Sequence, residues 1–335
     1  MRRLAASEKK GGCKKASVAQ PGLREAVEEA VADRTAGSPV DERIRWTNRS
    51  AAEIATEAVA QGFSVCADTV RRMLTDELGL RRRQAVKDEA GSTFPDRDAQ
   101  FQHIARRRAW YERCGWPVIS IDTKKKELLG EFFRAGRAYT DGVLHVADHD
   151  FASSDERLVP YGVFDTVWNE ALLLLARGAD TSQLASDAIW RWWQRLGRQY
   201  YEHAPRLLVL CDCGGSNGYR HHRFKEDLCE LATRLGRDIE VAHYPPGCSK
   251  YNPIEHRLFC HVTRSMQSAV LRTIEVARDL IARTTTANDL HVVAHIARRT
   301  YIKGRRATDE FLDQMPIVYN KFLPQLNYTA PAWSW

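Results

Sequence analysis

An α/β fold with helices on both faces of the sheet is predicted by three features of the sequence. Residues 207–211 (Leu-Leu-Val-Leu-Cys) form a continuous apolar run of strand length, stop at Asp212 and break into Gly214-Gly215; such a run suits a strand buried on both faces. Residues 118–121 (Val-Ile-Ser-Ile) repeat the pattern and end at Asp122. Beyond residue 117, strand-like runs are interleaved with segments of helical spacing, the order that builds a sheet covered on both sides.

The elements follow in chain order. Residues 1–22 are polar and basic, with Gly11-Gly12 and Pro21-Gly22, and are expected to be a flexible basic arm. Residues 23–32 carry Leu23, Val27, Ala30 and Val31 at helical spacing. Ser50 and Glu53 make a capping box, which opens a helix with Ile54 and Ala58 inward. A second helix is expected over residues 67–78, closed by Gly79. Two short helices joined by a tight turn predict a helix-turn-helix, and an all-α DNA-binding region over residues 23–94. Its second helix would show Thr69, Arg71 and Arg72 to base edges and phosphates. The plainer alternative is a helical hairpin that only packs. Arg81, Arg82, Arg83 and Lys87 follow as a basic linker suited to phosphate contact.

A helix starting near Pro95 opens the third region, residues 95–335, with Phe101, Ile104 and Trp110 along it. Strands are expected at 118–122, 126–133 and 171–176, a helix at 181–196, a strand at 207–211, a helix at 224–235 and a strand at 239–242. A long helical extension is expected from Asn252 onward.

Bulk properties set the class of partner. A chain of 335 residues fits two or three units, and a net charge of +7 favours an acidic polymer, nucleic acid first. No apolar run is long enough to span a bilayer, and the N-terminus lacks the apolar stretch of a signal peptide. The cysteines are scattered, without the pairing of a secreted scaffold. A reducing cytoplasm is the expected location.

The chemistry is expected where strands end. In open α/β sheets ligands gather beyond the carboxyl ends of strands, where Asp122 and Asp212 sit; Glu255 opens a helix. Three carboxylates around one point repel unless a cation compensates. Hard oxygen ligands select Mg²⁺ or Mn²⁺, and a two-metal clamp serves in-line phosphoryl displacement on DNA. Each acid also has a plainer role: Glu255 can complete a capping box with Asn252, Asp212 can cap a turn, and Asp122 can pair with a lysine. If residues 123–127 are extended, Lys124 and Lys126 share the face of Asp122 and suit a phosphate backbone. Residues 214–218 are glycine-rich but lack the spacing of a dinucleotide or P-loop motif. His243 is either a phosphate contact or a satisfied structural histidine, and Lys250 lies in the same loop before Glu255. Zinc on His243, Cys248, His256, Cys260 and His261 lacks finger spacing.

Several stretches together resemble a known family. These are residues 95–101 (Pro-Asp-Arg-Asp-Ala-Gln-Phe), 118–130 (Val-Ile-Ser-Ile-Asp-Thr-Lys-Lys-Lys-Glu-Leu-Leu-Gly), 160–165 (Pro-Tyr-Gly-Val-Phe-Asp), 212–218 (Asp-Cys-Gly-Gly-Ser-Asn-Gly), 243–259 (His-Tyr-Pro-Pro-Gly-Cys-Ser-Lys-Tyr-Asn-Pro-Ile-Glu-His-Arg-Leu-Phe) and 326–329 (Leu-Asn-Tyr-Thr). The chain resembles insertion-sequence transposases of the Rhodopirellula-type DDE family of bacteria. The resemblance implies an RNase H-like catalytic domain, with Asp122, Asp212 and Glu255 as the DDE triad and Mg²⁺ (or Mn²⁺) as cofactor. It implies strand cleavage and strand transfer on double-stranded DNA, at transposon terminal repeats and target, by a homo-oligomer. Cys213, Cys248 and Cys66 depart from the small residue, Thr and Ser usual in the family, and the N-terminus looks shorter than the family's. A DNA-binding regulator without catalysis is the alternative these departures leave.

Overall fold

The computed structural model describes residues 15–32, 35–37, 45–47, 49–82, 94–147 and 157–332. The chain divides into two compact units, Met1–Asp88 and Glu89–Trp335.

In the first unit, α1 (Ala16–Ala19) and α2 (Leu23–Ala32) are followed by β1 (Thr35–Gly37) and β2 (Arg45–Thr47), which pair antiparallel. This strand pair corrects the all-α expectation; three residues per strand carry no periodicity that a sequence could reveal. The capping box forms as expected: Ser50 Oγ accepts from the Glu53 N–H, and Glu53 accepts from the Ser50 N–H at 2.6 Å at the head of α3 (Ala51–Ala60). A turn at Gly62 leads to α4 (Ala67–Arg72), which runs on through a π-type turn over Met73–Glu77. Leu23, Val27, Ile54, Ala58, Val70 and Met73 make the core of the unit. Cys66 stands at the N-cap of α4 and makes no capping bond.

The second unit is a mixed sheet of nine strands. It opens with α5 (Arg97–Arg113), then β3 (Val118–Thr123), β4 (Glu127–Leu128), β5 (Arg157–Asp165) and β6 (Glu170–Arg177). Next come α6 (Ser182–Trp192), with a π-type continuation over Trp193–Gly197, α7 (Arg198–Tyr201), β7 (Arg206–Cys211), α8 (His222–Leu235) and β8 (Asp238–His243). After it, a π-type turn over Glu255–Phe259 leads into α9 (Cys260–Ser265), followed by α10 (Ile274–Ala282), β9 (His291–Ile296), α11 (Asp309–Gln314), β10 (Val318–Tyr319) and β11 (Asn327–Ala330). The strand order is β10-β11-β8-β7-β3-β5-β6-β9, with β4 beside β5. β3, β7 and β8 are parallel; β5 is antiparallel to both β3 and β6. β6 therefore points the same way as β3, and β3, β6, β7 and β8 all end at one edge.

Both faces are covered, as the apolar strands require. Ile119, Ile121, Val209 and Cys211 pack under α6 and α8 through Ile189, Trp192, Leu228 and Ala232. On the other face, Val118, Leu208 and Leu210 meet Ile104 and Tyr111 of α5. There too Phe164, Leu173 and Leu175 meet Ile254, Leu258, Phe259 and α10.

Two expectations are corrected here, and one strand is not anticipated by the sequence. The strand expected at 126–133 is only Glu127–Leu128, because Gly130 turns the chain at φ 133°. β5 is hidden in the sequence by Pro160 and Gly162, which interrupt its pattern although it is buried along nearly its whole length. The helical extension after Asn252 is broken by β9, β10 and β11, and β9 joins the sheet parallel to β6.

Candidate active site

The register of the sheet brings the first two acids together. β3 and β7 align Val118 with Leu208 and Ser120 with Leu210; two residues further on, the same register sets Asp122 beside Asp212. Side chains alternate along a strand, so Asp122 lies on the face of Ser120, opposite Ile119 and Ile121.

That face receives the segment carrying Glu255. Ser120 Oγ donates to Asn252 Oδ1 at 2.5 Å and accepts from the Ile254 N–H at 3.0 Å. Asn252 Nδ2 donates to the Ile121 carbonyl at 3.1 Å. Both side chains are wholly buried. Asn252 is thus an anchor to β3, and the capping-box reading of Asn252 with Glu255 is corrected: the Asn252 side chain is spent on the neighbouring strand. Beside it, Gly162 of β5 pairs with Asp122 and leaves room for Ile254 and Phe259.

Glu255 lies close enough to Asp122 to act on its carboxyl. Burial first, then the charge of Asp212, then Glu255, push the Asp122 carboxyl up to about 8. Neighbouring acids thus favour the neutral form of the buried Asp122 carboxyl. Asp122 also accepts from the Thr123 N–H at 2.7 Å. The Asp212 carboxyl is raised by burial, against the Gly214 N–H that it accepts at 3.2 Å, and further by Asp180.

Asp180 is a fourth acid that sequence reasoning missed. It accepts from Thr123 Oγ1 at 2.9 Å and Ser216 Oγ at 2.8 Å. With Asp122 and Asp212 it lines a cavity of about 270 Å³. The sequence does carry a signal for it: Asp180 lies just past the end of β6, at the edge where β3 and β7 also end. Glu255 lines a neighbouring cavity of about 600 Å³, and residues 124–126 border both.

Among the described residues, no three His, Cys, Asp or Glu side chains stand as a ready-made metal cage. The donor chemistry nonetheless fits a hard divalent ion. A buried carboxyl such as Asp122, raised by the acids beside it, is the kind of group whose repulsion a cation relieves.

The remaining expected site residues divide. His243 is corrected: it is fully buried, its Nδ1 2.7 Å from the Asp212 carbonyl and its Nε2 3.2 Å from the Tyr328 hydroxyl. Burial above all, and the nearby Lys225, lower its pKa to about 4. It holds Asp212's backbone and is closed off from the surface. Lys124 is also corrected: β3 ends at Thr123, so the alternation stops, and the buried Lys124 ammonium is paired with Glu127 at 2.5 Å. Lys126 is half-buried and borders the acid cavity; Lys250 is exposed beside the Tyr251 ring. In the first unit Thr69 lies on α4 near Cys66, Arg71 is exposed and paired with Asp68, and Arg72, Arg81 and Arg82 are exposed. Arg83 and Lys87 fall outside the described residues. Cys213 is accommodated by donating to the Tyr244 carbonyl at 2.9 Å, and Cys248 by burial against α5.

Comparison with known proteins adds to this geometry. The family model described as Rhodopirellula transposase DDE domain matches residues 26–332. No curated protein matches the chain. Solved structures of the Mos1 transposase are similar. Its paired-end complex with the left transposon end has TM-score 0.41 and 11% identity, over 82% of this chain and 72% of that one. The mariner Mos1 paired-end complex with Mn has TM-score 0.42 and 12% identity over the same shares.

Proposed function

The chain belongs to the family of Rhodopirellula transposase DDE domains, and on that premise we propose that it cleaves and joins DNA strands at transposon ends with the help of divalent metal. Asp122, Asp212 and Glu255 are the residues that would hold Mg²⁺ or Mn²⁺. What supports this reading above all is the register that sets Asp122 beside Asp212 at the shared carboxyl edge of β3 and β7, with the Glu255 segment anchored to β3 through Ser120 and Asn252. The order β6-β5-β3-β7-β8 at the centre of the sheet is in keeping with an RNase H-like domain.

When bound, the ions would lower the pKa of an attacking water or 3′-hydroxyl and neutralise charge at the scissile phosphate. The protein's own part is positioning. Ser120 and Asn252 fix the start of the Glu255 segment against β3, and His243 holds the backbone of Asp212. Asp180, through Thr123 and Ser216, steadies the loops on either side. Lys126 offers a cation at the rim for the phosphate backbone. In the first unit, α4 would act as a recognition helix through Thr69, Arg71 and Arg72, with Arg81, Arg82 and Arg83 on phosphates. Double-stranded terminal repeats and target DNA are the partners, with the chain acting as a homo-oligomer in the bacterial cytoplasm, at the nucleoid.

The test is incubation of the full chain with candidate transposon ends and Mg²⁺ or Mn²⁺, followed by mapping of 3′-hydroxyl products. Metal-dependent nicks at the ends, lost in Asp212→Asn with DNA binding kept, are expected. Sequence-specific binding without any metal-dependent nick would instead make this a regulator.

A further inference from the structure

We infer that residues 298–306, lying beside α6, form a second DNA contact: a track for a phosphate backbone that leads away from the carboxylate edge. The inference rests on the DNA reading above and adds a surface to it.

The segment reads Arg298-Arg-Thr-Tyr-Ile-Lys-Gly-Arg-Arg306, five cations and no acid. It is pinned in place. The Ala179 N–H donates to the Tyr301 carbonyl at 3.2 Å, and the buried Tyr301 hydroxyl donates to Asp187 at 2.9 Å. Gly178 permits the close approach, since a Cβ there would stand 3.0 Å from the Tyr301 carbonyl. Downstream, Thr308 donates through both its N–H and its hydroxyl to Glu226.

The two ends of the segment line two cavities. One, of about 470 Å³, holds Lys303 and Arg305 with Lys126, His221, Arg223 and the acid Asp180. It therefore adjoins the acid cavity, to which Asp180 and Lys126 also belong. The other, of about 350 Å³, holds Arg298 and Arg299 with Arg191, Arg234 and Trp190, further along α6. Ten residues lie between Asp180 and Arg191, roughly 15 Å at helical rise, or four to five nucleotides of B-form strand.

Charge in the second cavity is not balanced from within. Its one lining carboxylate, Asp187, already takes Arg299 at 3.4 Å and the Tyr301 hydroxyl. Arg234 lies 3.7 Å from the centre of the Trp190 ring, a flat cationic platform. The neighbouring His295 has its pKa lowered by burial and then by Arg195, Arg191 and Arg278. Guanidinium groups crowded in this way repel one another unless an anion enters. A cation row along a fixed strap matches a regularly charged polymer better than a single small anion.

The experiment measures binding of the full chain to a labelled random-sequence DNA duplex across a KCl series. Arg298→Gln with Lys303→Gln should lower the slope of log affinity against log salt by about two, one for each cation taken off the phosphate backbone. The charge-keeping pair Arg298→Lys with Lys303→Arg should restore it. An unchanged slope overturns the track, as does an equal fall on neutralising Arg113 and Arg198, which are exposed elsewhere. If the double variant does not fold, Lys303→Gln alone must lower the slope by about one. A wild-type chain that binds no duplex would sink the DNA reading itself; a binding wild type with an unchanged variant sinks only the track.

Discussion

Gly162 and Ile254 are packed so closely that a Cβ added to the glycine would stand 2.8 Å from Ile254 Cδ1, and equally near Phe259. This contact sets how deep the Glu255 segment sits on the sheet, because Gly162 pairs with Asp122 across the strands. Gly162→Ala must push the segment outward or strain the core, at about 1–3 kcal/mol. Displacement of a catalytic group by about 1 Å can cost on the order of 100-fold in rate. The variant is expected to fold with a lower melting temperature and to nick transposon ends far more slowly. Nicking at the wild-type rate would show that the depth of this segment does not matter.

The Ser120–Asn252 pair should behave as one unit. Ser120→Ala leaves Asn252 Oδ1 and the Ile254 N–H without their partner in a site closed to water, a loss of about 1–3 kcal/mol. Asn252→Ala should cost a similar amount, and the double variant little more than either alone. A double-mutant cycle by urea unfolding gives the coupling directly, expected at about 1 kcal/mol or above. Strict additivity would mean that the two residues hold the segment independently.

Asp122 should be needed for activity and costly to the fold. Its carboxyl, raised to about 8, has an ordinary value near 3.8 in the unfolded chain. A group raised on folding contributes fully below its unfolded value, and that contribution is lost as pH rises toward its folded value. At pH 8 without metal, the wild type is therefore destabilised relative to Asp122→Asn. The variant should melt higher there, by about 1–3 kcal/mol of stability, and show no metal-dependent nicking. A lower melting temperature for the variant at pH 8 would contradict the buried, mutually repelling arrangement.

How much of the molecule is legible in the chain follows from which interactions are local. Asp122 and Asp212 are readable because each ends an apolar run, and the carboxyl ends of parallel strands such as β3 and β7 gather on one edge. Ser50 and Glu53 are readable because a capping box spans four residues. Ser120, Asn252 and Gly162 are not: their roles depend on partners more than ninety residues away, and each looks ordinary among its neighbours. β5 is lost to view because Pro160 and Gly162 break its pattern, although it is the strand on which the Glu255 segment rests. Lys124 and His243 mislead for one reason: polarity near a site suggests exposure, whereas both are buried and paired.

His243 provides the pH signature of the site's scaffold. Its folded pKa of about 4 lies below the ordinary 6.5, mainly because burial disfavours the charged ring. A histidine lowered on folding contributes stability that is fully present above its unfolded value and is lost as pH falls through the folded one. The loss therefore falls between about pH 6.5 and pH 4 and amounts to about 3 kcal/mol for so buried a group. Asp122 and Asp212, raised on folding, act in the opposite direction over part of the same range. The wild type alone is thus a poor gauge, and the difference from His243→Gln isolates the effect. Urea unfolding at pH 7 and pH 4.5 should show the wild type losing more stability than the variant between the two. Equal losses in both would mean that the ring titrates freely and that the carbonyl of Asp212 is held some other way.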